Sequence, residues 1–294
     1  MVSLPIVDFG KQRRVVTRFA PSPNGALHLG HAYSAMCAYD FARANDGMFY
    51  LRIEDIDGAR SRAEHVRSIL ADLEWLGLRW DGLVQYQSGR VSRYVAALET
   101  LKAMGLVYRC ACSRGDIAAA LKTTTVPHGP DGPQYPGTCR GRDVREGLPH
   151  SWRLNMVMAV EQAGPLRWHD LAAGEQIAEP MVFGDVVLWR KDAPASYHLA
   201  ATVDDAVDGI SYVVRGMDLF AYTAIHRLLQ ALLGLPEPGY WHHPLLLYAA
   251  GEKLAKSRSS PALSDRRKAG EDGTELLNGL RNGVLPLGIL ISDD

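Results

Sequence analysis

The spacing of apolar positions changes period along the chain in a way that predicts strands and helices in turn. Val15-Val16-Thr17-Arg18-Phe19-Ala20 is β-prone, and Pro21-Ser22-Pro23-Asn24-Gly25 is dense in turn formers, so a strand runs into a tight turn. Helix-compatible sequence follows from Leu29 to Ala44, and a second strand over Met48–Ile53 ends in Glu54-Asp55-Ile56-Asp57. Val66, Ile69, Leu70, Leu73 and Leu76 recur at helical spacing, as do Val91, Tyr94, Val95, Leu98 and Leu101. Strands alternating with helices predict an α/β fold, a parallel sheet covered by helices.

Cys110 to Arg145 breaks this rhythm. Pro127, Pro130, Pro133 and Pro136 alternate there with Gly129, Gly132 and Gly137, a composition that holds regular structure only briefly. The chain therefore divides into residues 1–107, an inserted subdomain over 108–195, and a returning half over 196–294. Tyr197 to Val214 reads as β-rich, Met217 to Leu233 reads as a helix, and too few residues follow Ser257 for an independent domain.

Composition narrows the function classes. With 47% apolar and 22% charged residues among 294, wholesale disorder is excluded. Lys and Arg number 32 against 33 acidic residues, so any nucleic-acid contact must come from a local patch. Met1–Gly10 carries Asp8 and lacks a signal-peptide apolar run, and Pro286 interrupts the longest apolar stretch. A soluble, monomeric, cytoplasmic protein without a membrane partner is the expectation. The cysteines, Cys37, Cys110, Cys112 and Cys139, are too few for a disulfide-stapled fold and fit a reducing compartment.

Two short motifs carry candidate chemistry. His28-Leu29-Gly30-His31 follows the first turn and opens a helix, whose N-terminal N–H groups and partial positive charge favour phosphate. Gly30 has no Cβ to obstruct a ligand, and the flanking histidines can donate to phosphate oxygens; alone, the four residues read as helix-cap histidines. Lys253-Leu254-Ala255-Lys256-Ser257 alone reads as a solvated basic loop. Together, the two motifs resemble the paired signatures of class I aminoacyl-tRNA synthetases.

The resemblance narrows to one branch. Arg18 through His31 is similar to the opening of glutamyl-tRNA synthetases, and Leu51-Arg52-Ile53-Glu54-Asp55-Ile56-Asp57 with Arg60 resembles their acidic motif. Tyr197-His198-Leu199-Ala200, Val203-Asp204-Asp205 and Val213-Val214-Arg215-Gly216-Met217-Asp218-Leu219 match the second half. A catalytic half of this kind, without the anticodon-binding region, resembles the glutamyl-Q tRNA(Asp) synthetases. Asn24, Ile56 and Ala255 depart from the usual pattern without removing a charge expected to touch substrate.

The resemblance implies a Rossmann-like catalytic domain with a zinc-bearing insert. It implies a ligase that activates L-glutamate with ATP and Mg²⁺, without tRNA, and then glutamylates queuosine at the wobble position of tRNA(Asp). His28, His31, Lys253 and Lys256 would be catalytic, with His28, Gly30, His31 and Lys256 on ATP. Arg18-Phe19-Ala20-Pro21-Ser22, Glu54, Tyr197 and Arg215 would form the glutamate pocket. This fits the ligand: arginine forks suit its carboxylates, and Glu54 suits its ammonium. Alternatives are a truncated glutamyl-tRNA synthetase charging the 3′ end of tRNA(Glu), or an inactive glutamate- or RNA-binding paralogue.

Cys110, Cys112 and Cys139 are three candidate thiolates for one structural zinc. General zinc chemistry nominates His128 as the fourth ligand, whereas the resemblance implies Tyr135. Cys37 reads as core. His242-His243 reads as strand packing as readily as catalysis.

Overall fold

The computed structural model describes residues 14–145, 147–249, 251, 252, 254 and 261–292. Strand β1 (Val16–Phe19) pairs in parallel with β2 (Met48–Ile53), and helix α1 (Leu29–Ala44) is their crossover. Ala32, Ala35, Ala38 and Ala42 are all buried in α1, so the helix backbone lies close against the sheet. Helix α2 (Ala63–Trp75), strand β3 (Gln85–Tyr86), parallel to β2, and helix α3 (Val91–Ala103) complete this half.

The central segment runs through β4 (Val107–Cys110), α4 (Arg114–Leu121) and a small hairpin of β5 (His128–Gly129) and β6 (Gly132–Pro133). It continues through β7 (Ser151–Leu154), α5 (Met156–Ala163), β8 (Arg167–Asp170), β9 (Gly174–Ile177) and β10 (Val187–Trp189). β4, β7 and β10 form one antiparallel sheet. The Pro/Gly-rich stretch still contains α4, started by a Ser113–Asp116 capping box.

The chain returns through α6 (Tyr197–Val207), β11 (Tyr212–Gly216), α7 (Thr223–Leu233) and β12 (Gly239–His243). It ends in β13 (Leu246–Tyr248), α8 (Leu263–Lys268), α9 (Gly273–Arg281) and β14 (Ile289–Ile291). β11 and β12 run parallel, and β8, from inside the 108–195 segment, joins them with Asp170 opposite Tyr240. β11 abuts β1 through Ser211, whose N–H donates to Val16 O (3.0 Å) while its hydroxyl accepts from Val16 N–H (2.8 Å).

Two expected elements differ. Tyr197 to Val207 is a helix, not β-rich sequence, despite its β-branched Thr202 and Val203. Tertiary context decides: the helix buries Leu199, Ala200 and Val203 in one core while bringing Asp204, Asp205 and Asp208 to three arginines. The helix expected from Met217 starts at Thr223, because Met217–Leu219 is a single tight turn. One core packs α1 on the sheet around Phe41, Phe49, Leu51 and Trp241, and another gathers Tyr94, Leu98, Leu199 and Leu228 between helices. No helix among the described residues is long and apolar enough to cross a membrane.

Candidate active site

The carboxyl ends of the parallel strands open into a cavity of about 690 Å³, where an α/β sheet with crossovers places its ligands. Arg18 to Ser22 reach it from the end of β1, Glu54 from the end of β2, Tyr197 from the start of α6 and Arg215 from β11. His28, Gly30 and His31 line it from the start of α1. Lys253 and Lys256 lie outside the described residues, while Leu254 between them lines the same cavity.

The two histidines cap their own helix. His28 Nδ1 accepts from Gly30 N–H (3.1 Å), and His31 Nδ1 accepts from His28 N–H (3.1 Å). Each neutral ring therefore carries its proton on Nε2. A Cβ on residue 30 would sit 3.1 Å from His28 Cε1, so glycine leaves room for the capping ring as well as for a ligand. Capping and phosphate contact are compatible, since they use opposite nitrogens.

The floor is an ion network. Arg18 holds Asp205 through two bonds, Nε–Oδ1 at 2.9 Å and Nη2–Oδ2 at 3.1 Å. Arg52, wholly buried, lies 2.8 Å from Asp205, 3.4 Å from Asp208 and 3.8 Å from Asp204. Arg90 closes the set on Asp204 (3.1 Å) and Asp208 (2.7 Å). Glu54 lies beside this network, 4.0 Å from Arg52, with Ser22 donating to its Oε2 at 3.5 Å. Its Oε1 is buried, faces Arg52 Nη2 at that 4.0 Å and has no hydrogen-bond partner among the described residues, so the carboxylate is only weakly held by the floor it borders. Burial pushes its carboxyl up to about 7, against the pull of Arg52 and Arg18.

The wall is built differently. Arg215 Nε donates to His242 Nε2 (3.0 Å), Nη1 to the Tyr197 hydroxyl and to His226 Nδ1 (both 3.2 Å), and Nη2 to the Thr223 hydroxyl (2.7 Å). Burial, with Arg215 next, holds His226 well below the usual imidazole range. His242 is pushed down to about 4 by burial despite its bond to Asp170, so both rings are neutral acceptors at pH 7. One Nη2 N–H of Arg215 remains for a ligand among the described residues. Tyr197, accepting from Arg215, has its own proton to give.

Cys110, Cys112 and Cys139 bring their sulfurs within 4.8 Å of one another, and this cluster can hold a metal ion. The Tyr135 hydroxyl lies 3.3 Å from Cys110 Sγ and 3.4 Å from Cys112 Sγ, whereas His128 is exposed on β5 outside the cluster. Sulfurs at the corners of a zinc tetrahedron lie about 3.8 Å apart, which fits the donor set. Cys37 is buried in the α1 core.

Sequence reasoning assigned no role to Arg52, the Asp204–Asp208 carboxylates, Asp170 or Thr223. One signal was available: Arg52 stands between Leu51 and Ile53 in an apolar strand, where a charge needs buried partners.

Comparison with known proteins gives the family of the chain. The family described as tRNA synthetases class I (E and Q), catalytic domain, matches residues 14–290. The chain is 46% identical to a glutamyl-Q tRNA(Asp) synthetase of Rhodobacter capsulatus, over 89% of this chain and 98% of that one. It is 42% identical to one of Symbiobacterium thermophilum, over 86% and 81% respectively. A glutamate tRNA ligase from Elizabethkingia meningosepticum, crystallised with its amino acid, superposes with a TM-score of 0.70 at 26% identity. That match covers 88% of this chain but only 54% of the ligase, so the chain spans about half of it. The chain therefore belongs to the class I tRNA synthetases for glutamate and glutamine, a family of ligases, among relatives named glutamyl-Q tRNA(Asp) synthetase.

Proposed function

We propose that this chain activates L-glutamate with ATP, without tRNA, and passes the glutamate to queuosine at the wobble position of tRNA(Asp). The observation that carries the reading is the meeting, in one cavity, of Arg215 held by neutral groups, the Glu54 carboxylate and a histidine-capped helix start. The acceptor rests on the names of the relatives.

Arg215 and Tyr197 take the glutamate side-chain carboxylate, with Arg18 beside them, and Glu54 takes the ammonium. An oxygen of the α-carboxylate attacks the α-phosphorus of ATP. The new P–O bond forms as the bond to pyrophosphate breaks, leaving glutamyl-adenylate. The Nε2–H groups of His28 and His31 stabilise charge on the phosphoryl oxygens, and Lys253 and Lys256 hold the departing pyrophosphate. Magnesium arriving with ATP supplies further positive charge. No protein nucleophile is required, so positioning and electrostatics do the work. A hydroxyl of the queuosine cyclopentenediol then attacks the activated carbonyl and AMP leaves. ATP and tRNA as co-substrates place the protein in the cytoplasm, and one chain supplies every residue named.

The Cys110, Cys112, Cys139 and Tyr135 donor set holds one structural zinc per chain. Cys110→Ser should release it, read as zinc content of the purified protein, while retained stoichiometric zinc would sink this assignment.

The functional test has two arms. Glutamate-dependent exchange of pyrophosphate into ATP is expected with no tRNA present. Labelled glutamate is then offered to tRNA from cells that make or lack queuosine, each trimmed of its 3′-terminal adenosine. Label on trimmed, queuosine-containing tRNA(Asp) alone is expected. Label that requires an intact 3′ end and ignores queuosine would overturn the acceptor in favour of 3′ charging.

A further inference from the structure

Behind Arg215 lies a layer of polar groups that does not line the cavity. Asp170, at the end of β8, is fully buried. Its Oδ1 accepts from the N–H groups of Ala172 (2.9 Å) and Ala173 (3.0 Å). Its Oδ2 accepts from the backbone N–H of His242 (3.0 Å) and lies 2.7 Å from His242 Nδ1. Burial opposes its charge, but these bonds outweigh burial and hold its carboxyl below the usual range. An ionised Asp170 can only accept, so His242 Nδ1 must donate and the ring's Nε2 must be the acceptor. Arg215 Nε donates there at 3.0 Å. The Thr223 hydroxyl accepts from Arg215 Nη2 and lies 3.3 Å from the same His242 nitrogen.

We propose that Asp170 and His242 are positioning residues: by fixing one tautomer of His242 they orient the Arg215 guanidinium toward the substrate's side-chain carboxylate and set the preference for glutamate over glutamine. The chemistry favours this arrangement over a direct carboxylate partner. A carboxylate on Arg215 would cancel the charge that separates glutamate from its amide. A neutral imidazole holds the guanidinium equally well and leaves that charge to the ligand, with the balancing anion one ring further away. β8 thus ties the central segment of the chain to the back of the Arg215 wall through its pairing with β12.

The inference rests on the glutamate reading above, and its test separates the two. Asp170→Asn keeps the shape, and its carbonyl stays with Ala172 and Ala173. Its amide then meets both the backbone N–H and the ring of His242, the ring proton moves to Nε2, and a donor meets the Arg215 donor; variants of His242 itself test the same link without the backbone clash. KM for glutamate should rise about 10- to 100-fold, as for a lost bond to a charged group, with KM for ATP unchanged. Glutamate-over-glutamine selectivity should narrow, and ¹⁵N-detected imidazole spectra should show His242 protonated on Nε2 instead of Nδ1. His242→Gln, which offers an oxygen to Arg215 and an N–H to Asp170, should retain glutamate affinity, whereas His242→Leu should lose it. The Gln and Leu pair carries the comparison if Asp170→Asn does not fold. Folded variants with wild-type glutamate KM and selectivity, or an unshifted His242 proton, would overturn the proposal. A wild-type protein without glutamate-dependent exchange would instead remove the glutamate reading, while the tautomer measurement would still test the Asp170–His242 link.

Discussion

Two arginines reach the same cavity and are held in opposite ways. Arg18, on the floor, is locked fork to fork with Asp205, itself shared with the buried Arg52. Arg215, on the wall, is held by two imidazoles and two hydroxyls, none of them charged. A guanidinium already paired with a carboxylate has spent most of its field on the protein. One held by neutral acceptors is equally rigid but keeps its charge for whatever enters. The floor is therefore where β1, β2, the start of α3 and α6 are fastened together, and the wall is where, on the proposed reading, a substrate carboxylate would be distinguished.

The largest expected effects cross these two regions. Arg52→Met leaves Asp204, Asp205 and Asp208, with Glu54 beside them, to share only Arg18 and Arg90 in the interior, and should lower unfolding free energy by about 3–5 kcal/mol. Arg215→Met strands only neutral groups: the hydroxyls rotate, and the Thr223 hydroxyl still lies beside the His242 nitrogen that Asp170 keeps as an acceptor. It should cost about 1–2 kcal/mol in stability yet cut kcat/KM for glutamate roughly 100-fold. Denaturant melts and exchange kinetics on both variants check the crossing. Equal stability losses, or a larger activity loss per folded molecule for Arg52→Met, would erase the distinction.

Sequence alone made the wall's front legible and left its back dark. The strand, turn and helix over residues 16–44 follow from local pattern, because β-propensity, turn chemistry and the alanine-rich helix all agree there. Arg18, Glu54, Tyr197 and Arg215 could be named as pocket residues because they stand in motifs. That Arg18 is taken by Asp205 could not, since the bond spans 187 positions. His242 was visible as a histidine in a strand, but its meaning depends on Asp170, which pattern reading placed in a separate insert and which pairing places in the catalytic sheet. The misread α6 has the same origin. Its β-branched residues outweighed the spacing of its aspartates until the three arginines that need them were in view.

Glu54 stands between floor and wall and offers the smaller, sharper test. Burial sets its carboxyl at about 7, because the floor's arginines are already shared among Asp204, Asp205 and Asp208 and cannot fully offset desolvation. On the proposed reading Glu54 holds the substrate ammonium, which requires its ionised form. As pH falls below about 7, KM for glutamate should therefore rise, approaching tenfold per pH unit, while KM for ATP stays level. Folding has the opposite sign. The folded carboxyl titrates above its ordinary value of 4.5, so its ionisation destabilises the fold progressively as pH rises from about 4.5 to about 7. Glu54→Gln removes that charge, and should raise the melting temperature at pH 8 while abolishing the pH dependence of glutamate KM at a uniformly weak value. A wild-type glutamate KM that stays flat between pH 8 and 6 would mean that the floor neutralises Glu54 after all, and that the ammonium is held elsewhere.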